Sequence, residues 1–529
     1  MMHSQSLLCC LMLAVGAVSV KSCQNALNQT FYPQASSIPD SQDLDSSSFI
    51  GSAANATLLK PRFKYYPEAS LMHTDGGNTG SSDAPGPLGM SPNVSSAASI
   101  VNMMVWGTDG SLTCGYVNTS ADNPPPRGIV ALEPTTFEIL AVWYPPDNET
   151  ISFAYMEYIE KMNDILLSSE EGHIYVIHRD TCDGRPYFTT IRTISLASTL
   201  GAKEPLLNTM YDIAGNIWFT SGGLIGAGGS EQNSSTIGYI TPKGDIVKQR
   251  LQNEMVENGI AVSGMDIYMV TGPSGTADRA DATGYMYSMG SDECNGIKLN
   301  WRVPYAAGSG IKLGATARGS DTTPVLLTDK YVVIADNASP QAHLNVYHQK
   351  AQSSTKEQLA CQMPLFTAGK SNVMNSALAH FDGETHGILV QNKYAGPDVY
   401  VAQPGKPFDV NGEWNDMSTM DGGLARVDID ADGKCSMRWT SDLAVKAVSI
   451  LSTKTGLVYS YVQDTERSPQ GEYVWYVAGI DWDTGEIIFK VRTGLGGVFN
   501  DNFSQGTIGP DGTFYQSVLG GVVGVKDGE

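Results

Sequence analysis

The sequence predicts an all-β fold, a single β-propeller built from four-stranded blades. Gly 56, Pro 26 and Tyr 24 among 529 residues suit a turn-rich β protein. No long segment has helical periodicity, and short β-branched runs alternate with Gly, Asp, Asn and Pro clusters. A strand–turn–strand unit also recurs along the chain. Four strands in a period of about 40 to 50 residues are typical of a propeller.

The N-terminal segment predicts export. Residues 1–22 contain one apolar run, residues 7–20, which has the length of a signal-peptide core and is too short to span a bilayer comfortably. No later segment is apolar enough to cross a membrane. We therefore expect a secreted, extracellular protein of the eukaryotic secretory pathway.

Cysteines and glycosylation sequons agree with that expectation. An even number of widely spaced cysteines in an exported chain indicates disulfides, and the pairing stays open. The candidates are Cys23, Cys114, Cys182, Cys294, Cys361 and Cys435. Eight N-x-S/T sequons predict an N-glycosylated protein. They begin at Asn28, Asn55, Asn93, Asn118, Asn148, Asn233, Asn337 and Asn502.

The charge balance excludes one class of partner. The formal net charge is −22, and the acidic residues are dispersed along the chain. Such a field repels phosphate backbones, so we do not expect a nucleic-acid partner.

The segment after the signal peptide is interpreted as an arm. Residues 23–95 are rich in Ser, Asn, Pro, Gly and Asp, which predicts irregular structure. An island within it, residues 61–69, has the composition of one strand. The propeller domain is predicted at residues 96–529.

The repeated unit is clearest at residues 477–494, "VAGIDWDTGEIIFKVRTG". Residues 128–143 and 424–440 have the same order of apolar strand, acidic residue, turn and second strand. Each such hairpin follows another pair of short apolar runs. Two inner and two outer strands complete a blade.

Seven blades can be counted between residues 96 and 500, and the last residues supply three further strands. An open ring would expose an unpaired strand. We therefore favour eight blades, with the island at residues 61–69 closing the last one. Seven blades are the alternative.

The outer hairpins resemble the PQQ-type repeat of quinoprotein alcohol dehydrogenase-like propellers, whose consensus is Ala-Leu-Asp, two residues, Thr-Gly, three residues, Trp. Gly479, Ile480, Asp481, Thr484 and Gly485 fall on it, and Phe489 stands at the Trp position. In the first blade the matching residues are Ala131, Leu132, Glu133 and Thr136, with Phe137 in place of Gly and Ala141 in place of Trp.

The resemblance implies a fold more than a redox activity. Enzymes of that family use an adjacent Cys-Cys ring, a Trp platform and a calcium ion beside a catalytic Asp. The only adjacent cysteines here are Cys9 and Cys10, inside the predicted signal peptide. We therefore do not expect bound PQQ.

One acidic run is a candidate calcium loop. Asp428, Asp430 and Asp432 in "DIDADG" occupy alternate positions before a Gly, from which three carboxylates can converge on one calcium ion. The alternative is an acidic hairpin turn, which Asp and Gly also favour.

The candidate ligand site is the axial channel, where the innermost strands begin. Polar side chains stand at several of these predicted starts, and their oxygens could hold a polar ligand or a hard cation. The candidates are Asn208, Glu257, Asn258, Asn375 and Asp501.

The sequence leaves three functions open. The first is a secreted propeller that binds a small molecule or glycan in its axial channel. The second is an enzyme on the same scaffold: a lyase, cyclase or hydrolase, metal-assisted or not, with quinoprotein redox chemistry the least favoured. The third is an extracellular adhesion or host-interaction protein with a protein partner at the blade rims. The fold alone does not separate them.

Overall fold

Eight sheets form the ring in the computed structural model, which describes residues 35–119, 125–201, 204–222, 233–275, 278–292, 296–397, 408–501 and 503–528. Each blade is antiparallel, and its strands follow chain order from the inside to the outside of the ring. The predicted all-β propeller and the preferred count of eight blades are confirmed.

The segment before the first blade contributes four short strands. They are β1 (Phe49–Gly51), β2 (Ala69–Ser70), β3 (Ser81–Ser82) and β4 (Asn93–Ala97).

The first four blades follow in chain order, and β17 and β18 both pair with β19 in blade 4. Blade 1 is β5 (Val101–Trp106), β6 (Leu112–Val117), β7 (Arg127–Leu132) and β8 (Ile139–Trp143). Blade 2 is β9 (Ile151–Ile159), β10 (Asp164–Ser169), β11 (His173–Cys182) and β12 (Arg185–Ser195). Blade 3 is β13 (Leu206–Tyr211), β14 (Ile217–Ser221), β15 (Ser234–Ile240) and β16 (Ile246–Gln252). Blade 4 is β17 (Glu254–Met255), β18 (Ala261–Ser263), β19 (Asp266–Pro273), β20 (Thr283–Asp292) and β21 (Gly296–Ala306).

The second half of the ring repeats the arrangement. Blade 5 is β22 (Val325–Leu327), β23 (Tyr331–Ala335), β24 (Ala342–His348) and β25 (Leu359–Leu365). Blade 6 is β26 (Leu378–Phe381), β27 (His386–Gln391), β28 (Leu424–Ile429) and β29 (Cys435–Ser441). Blade 7 is β30 (Ile450–Ser452), β31 (Leu457–Gln463), β32 (Val474–Asp481) and β33 (Ile487–Leu495). Blade 8 is β34 (Gly506–Ile508), β35 (Phe514–Val518) and β36 (Gly521–Lys526), completed by β4.

Helical structure in the described residues is limited to single turns. The α-helical turn α1 is Thr355–Gln358, and 3-10 turns lie at Pro146–Asn148, Glu413–Asn415, Met417–Thr419, Ser468–Gln470 and Gly497–Phe499.

The ring is closed by the arm, but by a different segment from the one predicted. β4 pairs antiparallel with β36, from Ala97 opposite Val522 to Asn93 opposite Lys526. The island at residues 61–69 is not the closing strand; its last residue begins β2, which pairs with the inner edge of β9 in blade 2. A closing strand must continue directly into the next blade, and β4 lies immediately before β5.

The arm also occupies the interior of the ring. We call residues 69–84 the inner arm. Gly77, Thr79 and Gly80 accept backbone hydrogen bonds from the inner strands of blades 5, 6 and 7 at 2.9, 2.7 and 2.9 Å. Asn78 donates to carbonyls at the starts of the inner strands of blades 4 and 5, and β3 pairs in parallel with β30. The backbone groups of the inner strands therefore find partners without water.

The outer turns explain the repeated motif. The Asp481 carboxylate accepts the backbone N–H of Asp483 and Thr484 at 3.0 and 2.8 Å, and Gly485 completes the turn at φ +76°. A side chain at Gly485 would also collide with the Trp439 ring of blade 6. The geometry of this turn therefore requires the acidic side chain of Asp481 and a glycine at position 485.

Tryptophans tie neighbouring blades together. The Trp439 indole N–H of blade 6 donates to the Trp482 carbonyl of blade 7 at 3.0 Å, and Trp301 of blade 4 donates to Gln349 of blade 5 at 2.9 Å. The apolar core lies in clusters between adjacent blades, such as the one that joins Val325, Val333 and Ile388. Each blade therefore packs its apolar faces against the neighbouring blades.

Candidate functional site at the axial channel

The predicted channel residues gather where the innermost strands begin, an end of the ring that we call the channel mouth. Glu257 and Asn258 precede β18, Asn375 precedes β26, and Asp501 precedes β34, while Asn208 lies in β13. All are buried except Asn258, which is half-buried. The connections between blades position these side chains.

A buried ion pair lies at the entry to blades 7 and 8. The Lys446 ammonium donates to Asn500 Oδ1 at 2.9 Å and lies 3.8 Å from Asp501 Oδ1. Asp501 is fully buried; its Oδ1 accepts the Phe503 N–H, whereas its Oδ2 has no hydrogen-bond partner. Burial raises the pKa of Asp501 and lowers that of Lys446, and each charge opposes the shift of the other.

Lys393 is the second buried lysine at the mouth. It follows β27, is 1% exposed, and its Nζ has no hydrogen-bond partner. That nitrogen lies 3.7 Å from the centre of the Phe503 ring. Burial lowers the pKa of Lys393 well below its usual value; Asp501 opposes the shift, and Lys446 adds to it. The described residues therefore offer this amine no hydrogen-bond acceptor.

Asn258 organises the opposite side of the mouth. Its Oδ1 accepts hydrogen bonds from Tyr155 at 3.1 Å and from Thr323 at 2.6 Å. Its Nδ2 donates to the Asp321 carbonyl at 3.0 Å, and its own carbonyl accepts from Asn208 at 2.9 Å. The amide therefore connects blades 2, 3, 4 and 5, which is a positioning role.

Two carboxyl groups at the mouth resist ionisation. Burial raises the pKa of Glu257 well above its usual value, and the neighbouring Asp321 adds to the shift. Burial also raises the pKa of Asp321, to about 7, against hydrogen bonds from Thr316 and Ala317. Glu257 Oε1 is buried without a hydrogen-bond partner. A protonated carboxyl can donate as well as accept a hydrogen bond.

The mouth thus combines donors and acceptors that the protein does not use. Lys393 Nζ, Asp501 Oδ2 and Glu257 Oε1 are buried and have no partner among the described residues. Each such group costs about 1–3 kcal/mol when left unsatisfied. A polar ligand that reached these three groups would recover that free energy.

Sequence reasoning missed half of this site. Asn375 donates to Gln391 at 2.6 Å and to the Lys446 carbonyl at 3.2 Å, so it supports the site and is not free to bind. Lys393, Lys446 and Asp321 were not predicted. A detectable signal was Lys446 inside the apolar run of residues 443–451, because lysine is rarely fully buried.

The acidic run at residues 428–433 forms a hairpin turn. Asp430 Oδ1 accepts the N–H of Asp432 and Lys434 at 3.0 and 2.9 Å, the arrangement found around Asp481. Asp428 pairs with Arg426 at 2.9 Å. Within the described ranges, no group of three or more His, Cys, Asp or Glu side chains is placed to hold a metal ion. Asp430 thus stabilises the turn and Asp428 holds Arg426, and the calcium site stays a prediction.

The cysteines divide into bonded and free ones. Cys361 of blade 5 and Cys435 of blade 6 form a disulfide between the outer strands, and Cys182 is also disulfide-bonded. Cys114 is a free, fully buried thiol in β6, so its prediction as a disulfide partner is wrong; it fills a core position. Cys23 and Cys294 lie outside the described residues.

The asparagines of the predicted glycosylation sites differ in solvent exposure. Asn55, Asn93, Asn148 and Asn233 are exposed, and Asn118 is half-buried. Asn337 is 2% exposed, and its side chain exchanges two hydrogen bonds with the Val373 backbone, both at 3.0 Å. A glycan at Asn337 is incompatible with this packing. Asn28 and Asn502 lie outside the described residues, as does the predicted signal peptide.

The described residues contain no helix with the length and apolar character needed to span a membrane.

Comparisons with known proteins support the fold. No protein-family profile matches the chain. An uncharacterized protein of Archaeoglobus fulgidus is 25% identical over 318 residues, which are 55% of this chain and 57% of that protein. The alignment thus spans little more than half of the relative.

One solved structure has a similar fold, and a second is reported beside it. Quinohemoprotein alcohol dehydrogenase from Comamonas testosteroni superimposes with a TM-score of 0.51 at 10% identity, over 87% of this chain and 80% of that one. The enzyme ADHIIG from Pseudomonas putida HK5 gives 0.47 at 10% identity, over the same shares. At such identities the likeness extends to the fold alone. The chain is therefore similar in fold to the quinohemoprotein alcohol dehydrogenase of Comamonas testosteroni, as the repeat predicted.

Proposed function

We propose that the protein is a secreted, glycosylated propeller that binds a small polar molecule or glycan at the channel mouth. The observation that carries the proposal is the group of three buried, unpartnered atoms on Lys393, Asp501 and Glu257. Charged groups without partners are costly in a folded interior and concentrate at functional sites. The exposed sequons and the disulfide between blades 5 and 6 support extracellular residence.

The side chains at the channel mouth limit the chemical class of ligand that could bind there. The Lys393 amine requires an acceptor, and a carboxylate suits it best because it would restore the charged form of the amine. Asp501 Oδ2 could accept a hydrogen bond from a ligand, and protonated Glu257 can donate or accept. A sugar acid, with one carboxylate and several hydroxyls, satisfies all three groups.

Titration calorimetry with glucuronate tests this proposal, with glucose and acetate as partial ligands. We expect glucuronate to bind more tightly than either of them. Lys393→Met should weaken glucuronate at least about tenfold, the effect of losing one charged hydrogen bond. Lys350→Met, at an exposed lysine of blade 5, is the matched control. Equal binding of glucuronate by both variants would contradict the site, and no binding to wild type would contradict the ligand class.

An enzyme at the same mouth is the second candidate. The observation that favours it is a lysine whose pKa is lowered by burial at the same mouth as carboxyls whose pKa values are raised by burial, because such groups supply a base and acids for proton transfer. A lyase would remove the proton from the carbon beside the ligand carboxylate. The oxygen substituent on the next carbon would leave with a proton. The unsaturated product absorbs ultraviolet light, so its appearance with wild type and its loss in Lys393→Met would distinguish catalysis from binding.

A further inference from the structure

A separate cavity lies between the arm and the junction of the first and last blades. Its volume is about 460 Å³, within the range of small-molecule sites. Its walls come from arm residues near both ends of the inner arm, from β5 and the turn after it, and from the start of blade 8. None of the channel-mouth residues described above lines this cavity.

Methionine and tryptophan side chains form its apolar wall. Met72 comes from the arm, and Met103, Met104 and Trp106 come from β5. The pairing of β5 with β6 shifts register between Asn102 and Val105, and Met103 adopts φ +46° within this bulge. A bulge re-aims side chains, so these two methionines depart from the regular alternation of the strand. Methionine surfaces adapt to ligands of irregular shape.

Two polar atoms at the cavity, an amide oxygen that accepts and a hydroxyl that can donate or accept, have no hydrogen-bond partner among the described residues. Gln505 is 7% exposed, and its Oε1 is buried without a hydrogen-bond partner. The Thr74 hydroxyl, which also lines the cavity, is buried and unpartnered in the same way. By contrast, the Trp106 indole N–H is already used, because it donates to Thr507 at 3.1 Å.

Charge at the cavity is acidic on balance. Arg62 is the cation of the lining, and it lies 3.5 Å from Asp75 and 3.9 Å from Asp83. Glu160 also lines the cavity, and no ion pair involves it in the described structure. An ammonium group could pair with Glu160 while donating to the neutral acceptors, whereas an anion would be repelled.

We propose that this cavity binds a small cationic amphiphile, a protonated amine attached to an apolar aromatic body. The body packs against the methionines and Trp106, and the ammonium donates to Glu160 and to Gln505 Oε1. The volume, the apolar wall and the unpartnered acceptors each favour such a ligand. The proposal is independent of the function assigned to the channel mouth.

Three probes with the same ring system test the ligand class: tryptamine, 3-methylindole and indole-3-acetate, which are a cation, a neutral molecule and an anion near pH 8. We expect tryptamine to bind most tightly in calorimetry and indole-3-acetate most weakly. Glu160→Gln should weaken tryptamine about tenfold, the effect of one charged hydrogen bond, and leave 3-methylindole unchanged. Glu384→Gln removes an equal charge from an exposed turn of blade 6 and is the matched control.

Two further variants locate the site. Gln505→Leu should weaken tryptamine by about threefold to tenfold. Thr108→Trp places a large ring at an exposed lining position and should block all three probes without altering the melting temperature. Equal affinity for tryptamine and 3-methylindole would overturn the amine assignment. Unchanged binding in Thr108→Trp, or no binding of tryptamine at millimolar concentration, would overturn the site.

Discussion

Removal of the Lys446 ammonium tests whether the charges at the channel mouth serve stability or binding. Lys446→Met leaves the fully buried Asp501 without its nearest cation, which lies 3.8 Å away. Breaking a buried pair at one partner costs about 3–5 kcal/mol, because an uncompensated charge stays behind. We expect that loss of unfolding free energy in Lys446→Met, and a similar loss in Asp501→Asn.

The double variant Lys446→Met with Asp501→Asn should recover most of the loss. Replacing both members of a buried pair is often neutral or stabilising, so we expect it within about 1 kcal/mol of wild type. Urea unfolding followed by tryptophan fluorescence measures all four proteins, and a coupling energy of at least about 2 kcal/mol is expected. Lys526→Met with Asp511→Asn, at a partly exposed pair 3.1 Å apart, is the control and should couple by under about 1 kcal/mol.

Additive losses at Lys446 and Asp501 would refute this reasoning, because they would show that the two charges do not compensate each other. A stable double variant that no longer binds glucuronate would show that the charges are retained for the ligand.

Three other predictions concern the scaffold. Burial raises the pKa of Glu157 to about 8, so the folded state holds a proton that the unfolded state releases, and this contribution to stability is lost as pH rises from about 4.5 to about 8. Glu157→Gln should remove about 2.5 kcal/mol of the decline in unfolding free energy between about pH 5.5 and 7.5, and an unchanged decline in urea titrations would contradict the assignment. Replacing Cys361 and Cys435 by Ala opens a loop with a sequence separation of 74 and should cost about 4.5 kcal/mol in the chain-entropy account; calorimetry that shows no loss would refute it. A chain beginning at residue 71 keeps β4 and should stay folded and monomeric, whereas one beginning at residue 99 exposes β36 and should aggregate in size-exclusion chromatography; identical behaviour of the two would contradict closure by β4.

Local signals in the sequence were sufficient to predict the blades. The turn at Asp481 of blade 7 and the turn at Asp430 of blade 6 have the same hydrogen bonds, which depend only on residues close in the chain. The same local chemistry left two interpretations of the acidic run open, because a turn stabilised by Asp430 and a metal loop share one acidic pattern. Only the observed hydrogen bonds to Asp432 and Lys434 separate the two.

The sequence predicted where in the ring the candidate site lies, but it identified only some of the residues that form it. Asn258, Glu257 and Asp501 stand directly before inner strands, so their position along the repeat indicated the channel. Lys393 follows β27, the second strand of blade 6, and lies at the channel mouth where that strand ends. Nothing in the local sequence of such a lysine shows that it will be buried against Phe503 without an acceptor.

The sequence by itself determined the class of fold and favoured eight blades over seven, because these follow from periodicity and turn residues. The tertiary structure decided which arm strand closes the ring, that the inner arm fills the interior, and which charges are buried together. Those outcomes depend on contacts between residues far apart in the chain, such as Leu495 with Asp40, which are 455 positions apart. Burial and charge pairing belong to the assembled ring, and no single blade specifies them.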